Sequence, residues 1–148
     1  MKAVMKNPFS TLAICTALLS SGAFAAQDCD IRYGASPTLA RLDVKVGDRF
    51  TVCLDANPST GFSWVMPFGK SEGLERLAYL GSQYRPGAAQ AQGMVGGAET
   101  HVFHFAAAKP GSARLTLDYL RPWLWQQAPA RSVVFEITIL PGQGADTE

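Results

Sequence analysis

The sequence predicts an all-β fold, an antiparallel β-sandwich of about seven strands. Three observations predict it. Apolar and polar residues alternate with period two in several short runs, most plainly Phe50, Val52 and Leu54 against Thr51, Cys53 and Asp55. Turn residues (Gly, Pro, Asp, Asn) separate these runs every 8–15 residues or so. No stretch carries the three-and-four spacing of an amphipathic helix.

Taken in order, residues 38–44 alternate Ala40, Leu42 and Val44 with Leu39, Arg41 and Asp43. Val46-Gly47-Asp48 turns the chain into the run at 50–55. Residues 62–66 are a short aromatic-rich strand closed by Pro67, and residues 75–84 carry Leu77, Tyr79 and Leu80 before Pro86-Gly87. Residues 101–105 are a further short strand, and Lys109-Pro110-Gly111 turns toward the next. Ala113, Leu115, Leu117 and Tyr119 then alternate with polar partners, as do Val133, Phe135, Ile137 and Ile139 near the end. The segment 87–97, GAAQAQGMVGG, has little to bury and is expected to be a long mobile loop. Residues after Pro141 read as a frayed tail. Short strands at this spacing point to an immunoglobulin-like sandwich.

The first 25 residues stand apart. Lys2 and Lys6 precede a mostly apolar run from Leu12 to Leu19, and Ala23-Phe24-Ala25 is a small-x-small cleavage site. Residues 1–25 are therefore a secretory signal peptide, and the protein is expected to be periplasmic or secreted. The apolar run is too short for a membrane anchor, and Ile14 is too bulky before Cys15 for a lipoprotein site. Residues 26–148 form one domain with one core. Without Lys2 and Lys6 the 13 basic residues fall to 11, against 12 acidic, a net charge of −1. No segment concentrates Lys or Arg, so neither nucleic acid nor a membrane surface is an expected partner, and a monomer is expected. Cys29 and Cys53 remain as an even pair in an oxidising compartment, most simply a disulfide, with two free thiols as the alternative.

Chemistry-bearing motifs are lacking. The sequence has no His-Glu-x-x-His, no phosphate loop and no dinucleotide fingerprint. His101 and His104 are three apart, on opposite faces of a strand, so they cannot share a metal. Asp28/Asp30 and Glu72/Glu75 read as solvated charges. No cofactor, no metal and no enzymatic activity are expected.

Three connections are unusual instead. Asn57-Pro58-Ser59-Thr60-Gly61 combines turn chemistry with an aromatic continuation, Phe62-Ser63-Trp64. Gly93-Met94-Val95-Gly96-Gly97 is a glycine-rich tip. Arg121-Pro122-Trp123 holds a large aromatic beside a proline where there is no core to enter, and Trp and Arg are enriched at binding hot spots. Each alone is explained equally well as a strand connection, a flexible linker or an aromatic folded back over the sandwich. In an immunoglobulin-like sandwich, however, the connections in these slots gather at one end of the molecule.

In order and spacing, the three segments resemble the motif set of the chagasin family of cysteine-peptidase inhibitors. That family carries an Asn-Pro-Thr-Thr-Gly type loop, a Gly-x-Gly-Gly type loop and an Arg-Pro-Trp or Arg-Pro-Phe loop. The resemblance runs over residues 39–140, with Ser59 in place of Thr and Met94 in place of the earlier glycine. The Cys29/Cys53 pair is an addition to the motif set. The resemblance implies a reversible inhibitor whose loops occupy the cleft of a papain-like cysteine peptidase without being cleaved. Its contacts would be Asn57, Pro58, Ser59, Thr60, Gly61, Phe62, Met94, Val95, Gly96, Gly97, Arg121, Pro122 and Trp123. The glycine loop would cross the catalytic centre, Ser59 and Thr60 would offer hydroxyl donors beside it, and Trp123 would supply an apolar face. The alternative from another class is a non-inhibitory immunoglobulin-like adhesion or envelope module using the same loop edge.

Overall fold

The computed structural model describes residues 29–33, 39–67, 69–87, 90 and 92–144. The expected signal segment, Asp28 and residues 145–148 lie outside them. Eight strands are described: β1 (Ile31–Tyr33), β2 (Leu39–Lys45), β3 (Arg49–Ala56), β4 (Ser63–Val65), β5 (Leu77–Pro86), β6 (Glu99–Ala107), β7 (Gly111–Leu120) and β8 (Arg131–Leu140). They form two four-stranded sheets, ordered β1-β3-β6-β5 and β2-β8-β7-β4. Strands β2 to β8 are the seven read from the sequence, and β1 is an eighth. At three residues it is too short to show a period.

Two pairings depart from the expected antiparallel pattern. β1 runs parallel to β3 and β2 runs parallel to β8. The start of the chain is thus divided between the two sheets, one piece docked on each, and each piece lies along a strand pointing the same way. β5 begins two residues later than its sequence pattern, because Gly73 (φ 68°) starts a 3-10 turn at Leu74–Arg76.

Alternation explains the core. Pairings such as Val52 with Phe103 and Leu115 with Phe135 put large apolar residues of neighbouring strands on one face. Phe50, Val52, Leu54, Phe103 and Phe105 from one sheet meet Leu115, Leu117, Val133, Phe135, Ile137 and Ile139 from the other. Burying each such side chain contributes about 1.5–3 kcal/mol.

The outer faces are buried in part, which alternation does not predict. On β3, Thr51 and Cys53 are covered by the start of the chain. Cys53 is joined to Cys29 by a disulfide (S–S 2.04 Å). The Asp30 carboxylate accepts hydrogen bonds from Thr51 N (2.7 Å) and Oγ1 (3.1 Å), so it is a latch and not the solvated charge read from the sequence. A carboxylate can satisfy two donors at once.

On the second sheet the connection between β4 and β5 lies over β7. Ser71 Oγ accepts from Thr116 N (2.9 Å), and Thr116 Oγ1 donates to Lys70 O (2.9 Å). Beneath it Asp118, 1% exposed, pairs with Lys70 Nζ and Ser132 Oγ, both at 2.6 Å. A buried carboxylate is tolerated only when paired in this way. This strap fixes the end of β7, from which Arg121 emerges. No helix among the described residues is long and apolar enough to cross a membrane.

Candidate functional site

Register places the three unusual connections side by side. Ala56, the last residue of β3, pairs with Glu99, the first of β6, and Glu99 pairs with Pro86, the last of β5. The β3–β4 and β5–β6 connections therefore leave from adjacent strand ends. Ser63, the first residue of β4, pairs with Leu120, the last of β7, and so brings the β7–β8 connection to the same end.

The β3–β4 loop is a 3-10 turn at Pro58–Thr60, closed by Gly61 at φ 79°, where only glycine avoids a steric penalty. Gly61 N donates to Pro58 O (2.9 Å). Ser59 Oγ donates to Asn57 Oδ1, and Thr60 Oγ1 donates to Asn57 O (2.6 Å). Both hydroxyl protons are thus engaged inside the loop. The expected hydroxyl donors are therefore acceptors here, because a turn led by Asn offers two oxygens within reach.

The loop stands on a fixed base. Asn57 N donates to Tyr119 Oη (2.9 Å), while Trp64 Nε1 and Arg131 Nη2 both donate to Asp55 O at 3.0 Å. The Arg131 guanidinium lies over the rings of Tyr119 (4.5 Å) and Trp64 (5.2 Å). Neither Tyr119 nor Arg131 carries a motif signal; each is found only through its partner.

The β7–β8 loop opens with Pro122 in a 3-10 turn, Pro122–Leu124. Trp123 is 66% exposed, yet one edge of its indole lies directly against Gly61: a Cβ at position 61 would sit 2.6 Å from Cη2. Arg121 Nε donates to Thr60 O (3.3 Å), and its guanidinium lies 4.6 Å from the centre of the Phe62 ring. Phe62 is half-buried and stacked on Tyr119, centroids 5.2 Å apart. The first and third loops are thereby locked into one body. Trp125, 71% exposed, belongs to the same connection, which the sequence already marks as Arg121-Pro122-Trp123-Leu124-Trp125.

The glycine-rich loop is closed at its neck. Gln90 Nε2 donates to Glu99 Oε1 (2.7 Å), Gly93 N donates to Gln90 O (2.9 Å), and the backbone at Gly87 lies against Ala98 O. Val95 at its tip is 100% exposed, and Met94 is also exposed. Gly96, at φ 74°, comes beside the first loop: a Cβ there would be 3.9 Å from Ser59 Oγ.

Beneath this edge lies His101, 6% exposed, stacked on Tyr84 and tilted against Phe103, with ring centroids 4.1 Å from each. Burial lowers its pKa from 6.5 to about 4. Ser82 Oγ is 3.1 Å from its Nε2, but Nδ1 has no hydrogen-bond partner to orient the ring, so the pair lacks the third member of a catalytic triad. Among the described residues no group of side chains could hold a metal ion. Among the described residues the edge presents exposed apolar side chains, Met94, Val95, Trp123 and Trp125, and no set of groups arranged for catalysis.

Residues 43–139 match the family described as Chagasin family peptidase inhibitor I42. Chagasin of Trypanosoma cruzi is 32% identical over 85 residues, 57% of this chain and 74% of that protein. Amoebiasin-2 of Entamoeba histolytica is 26% identical over 100 residues, 68% of this chain and 77% of that one. Among solved structures, that of the cysteine protease inhibitor EhICP2 from Entamoeba histolytica covers 70% of this chain and 99% of its own, at TM-score 0.53 and 22% identity, a likeness of fold. With its three loops in sequence order on one end of a β-sandwich, this chain belongs to the chagasin family of peptidase inhibitors.

Proposed function

We propose that the protein is a reversible inhibitor of papain-like cysteine peptidases, and that residues 57–62, 94–97 and 121–123 enter the cleft of the target as a three-part wedge. The observation that carries this reading is the contact of Trp123 with Gly61. It presents an exposed indole on a loop already joined to its neighbour, so little ordering remains to be done on binding. The indole would bury roughly 150–250 Å² against an apolar cleft wall. The glycine-containing tip at Gly96 and Gly97 lets backbone come close where a side chain would collide. Family membership supports the choice of target class, and EhICP2, which shares the fold, is a cysteine protease inhibitor.

The protein works, in this reading, as an exported monomer. The signal segment 1–25 and the Cys29–Cys53 disulfide both suit an oxidising compartment. Titration of residues 26–148 against papain is the test. Stoichiometric loss of activity, recovered on dilution with the inhibitor intact, is expected; unchanged activity at micromolar protein would overturn the proposal and leave a non-inhibitory loop-edge module.

A further inference from the structure

We propose that Trp125 is a specificity-determining residue, a second aromatic anchor that touches the peptidase beside its cleft and not within it. The proposal rests on the inhibitor reading above. The β7–β8 connection carries two exposed indoles, Trp123 at 66% and Trp125 at 71%, and the wedge accounts only for the first. An indole left in water to that extent contributes little to the fold, and Trp is enriched at binding hot spots.

Backbone geometry separates the two rings. Pro122–Leu124 is a 3-10 turn, and Trp125 continues it in the right-handed helical region (φ −58°, ψ −19°). Such a helix has three residues per turn, so side chains two positions apart leave its axis about 120° from each other. Trp123 is turned toward the first loop, with its indole edge against Gly61. Leu124 is half-buried over a hollow lined by Phe62, Leu120 and Ala130. Trp125 takes the remaining direction, away from the first loop and from the sandwich.

Its support is closed. Leu124 N donates to Arg121 O (2.8 Å), Gln127 N donates to Leu124 O (2.9 Å), and Ala130 N donates to Tyr119 O (2.9 Å) at the base of the loop. An indole on such a turn has only its own side-chain torsions to fix on binding, so little of the gain from burying it is lost to ordering.

Position beside the wedge makes this contact discriminating. Peptidases that share one reaction must share the geometry of the catalytic centre, and with it the cleft that the three loops fill. The surface beside that cleft is under no such constraint. There Trp125 meets an apolar wall in one enzyme and a charged surface in another, and specificity is the difference between those two affinities.

Trp125→Ala, Trp125→Phe and Trp123→Ala, each expressed from the full chain, are compared with wild type against papain, cathepsin B and cathepsin L. Inhibition constants, dissociation rates and denaturant unfolding are measured. Trp125→Ala is expected to shift the ratio of inhibition constants between two of these enzymes by about tenfold or more, through faster dissociation and with an unchanged unfolding midpoint. Trp125→Phe should recover most of that loss, because a ring remains, and Trp123→Ala should weaken inhibition of every enzyme. A ratio that moves by less than about tenfold in Trp125→Ala, whether inhibition is kept or lost uniformly, would overturn the proposal. So would a loss accounted for by unfolding alone. If wild type inhibits none of these enzymes, the inhibitor reading itself fails, so the two failures are distinguishable.

Discussion

The indole of Trp123 fills the space that a side chain at position 61 would need. A Cβ on Gly61 would lie 2.6 Å from Cη2 and 3.2 Å from Cζ2, in a residue already at φ 79°. Glycine is required there twice, once by backbone and once by contact. Gly61→Ala is therefore expected to displace Trp123 and to destabilise the protein by about 1–2 kcal/mol. Loss of inhibition larger than the change in stability, measured by titration against papain and by denaturant unfolding, checks it.

Trp123→Ala tests the other partner of the same contact. The side chain is 66% exposed, so stability should change by no more than about 0.5 kcal/mol, the usual range for surface positions. Inhibition should weaken by about 2 kcal/mol or more, the hot-spot level. A collapse in Tm with normal inhibition per folded molecule would move Trp123 into the core.

Cys29 and Cys53 close a loop with a sequence separation of 24, and their removal exposes the latch on β3. Replacing both with Ser is expected to cost roughly 3 kcal/mol. Denaturant unfolding with and without reductant checks this, and a free-thiol assay on the exported protein should find no reactive thiol.

His101 makes the fold sensitive to acid. Its folded pKa, about 4, lies below the ordinary 6.5, because burial disfavours the imidazolium. The native state therefore binds fewer protons than the unfolded state, and stability is complete above about pH 6.5 and falls as pH drops toward 4. The neighbours are the rings of Tyr84 and Phe103, the hydroxyl of Ser82 and Leu54 across the ladder, and none supplies a compensating negative charge. His101→Phe is expected to remove about 2–3 kcal/mol of the difference in unfolding free energy between pH 7 and pH 4, read as wild type minus variant.

Much of this was legible in the chain. Period-two alternation is local, so strands β2 to β8, the inward faces of β2, β3, β7 and β8 and the order of the three loops could be read without a fold. The Cys29/Cys53 pair was readable as well, since only two cysteines follow residue 25. Three-residue β1 was not, because alternation needs more length than that.

What only the tertiary structure decided are the relationships between distant positions. Asn57 meets Tyr119, Asp55 meets Arg131 and Lys70 meets Asp118, partners 62, 76 and 48 residues apart. Nothing local to these residues specifies the pairing, because it follows from strand register and sheet packing. Within the first loop the hydroxyl protons of Ser59 and Thr60 turn inward to Asn57. By itself the sequence determined which residues stand at the edge. The folded structure decided which of their groups face outward, since a hydrogen bond made inside a loop leaves that proton unavailable to a partner.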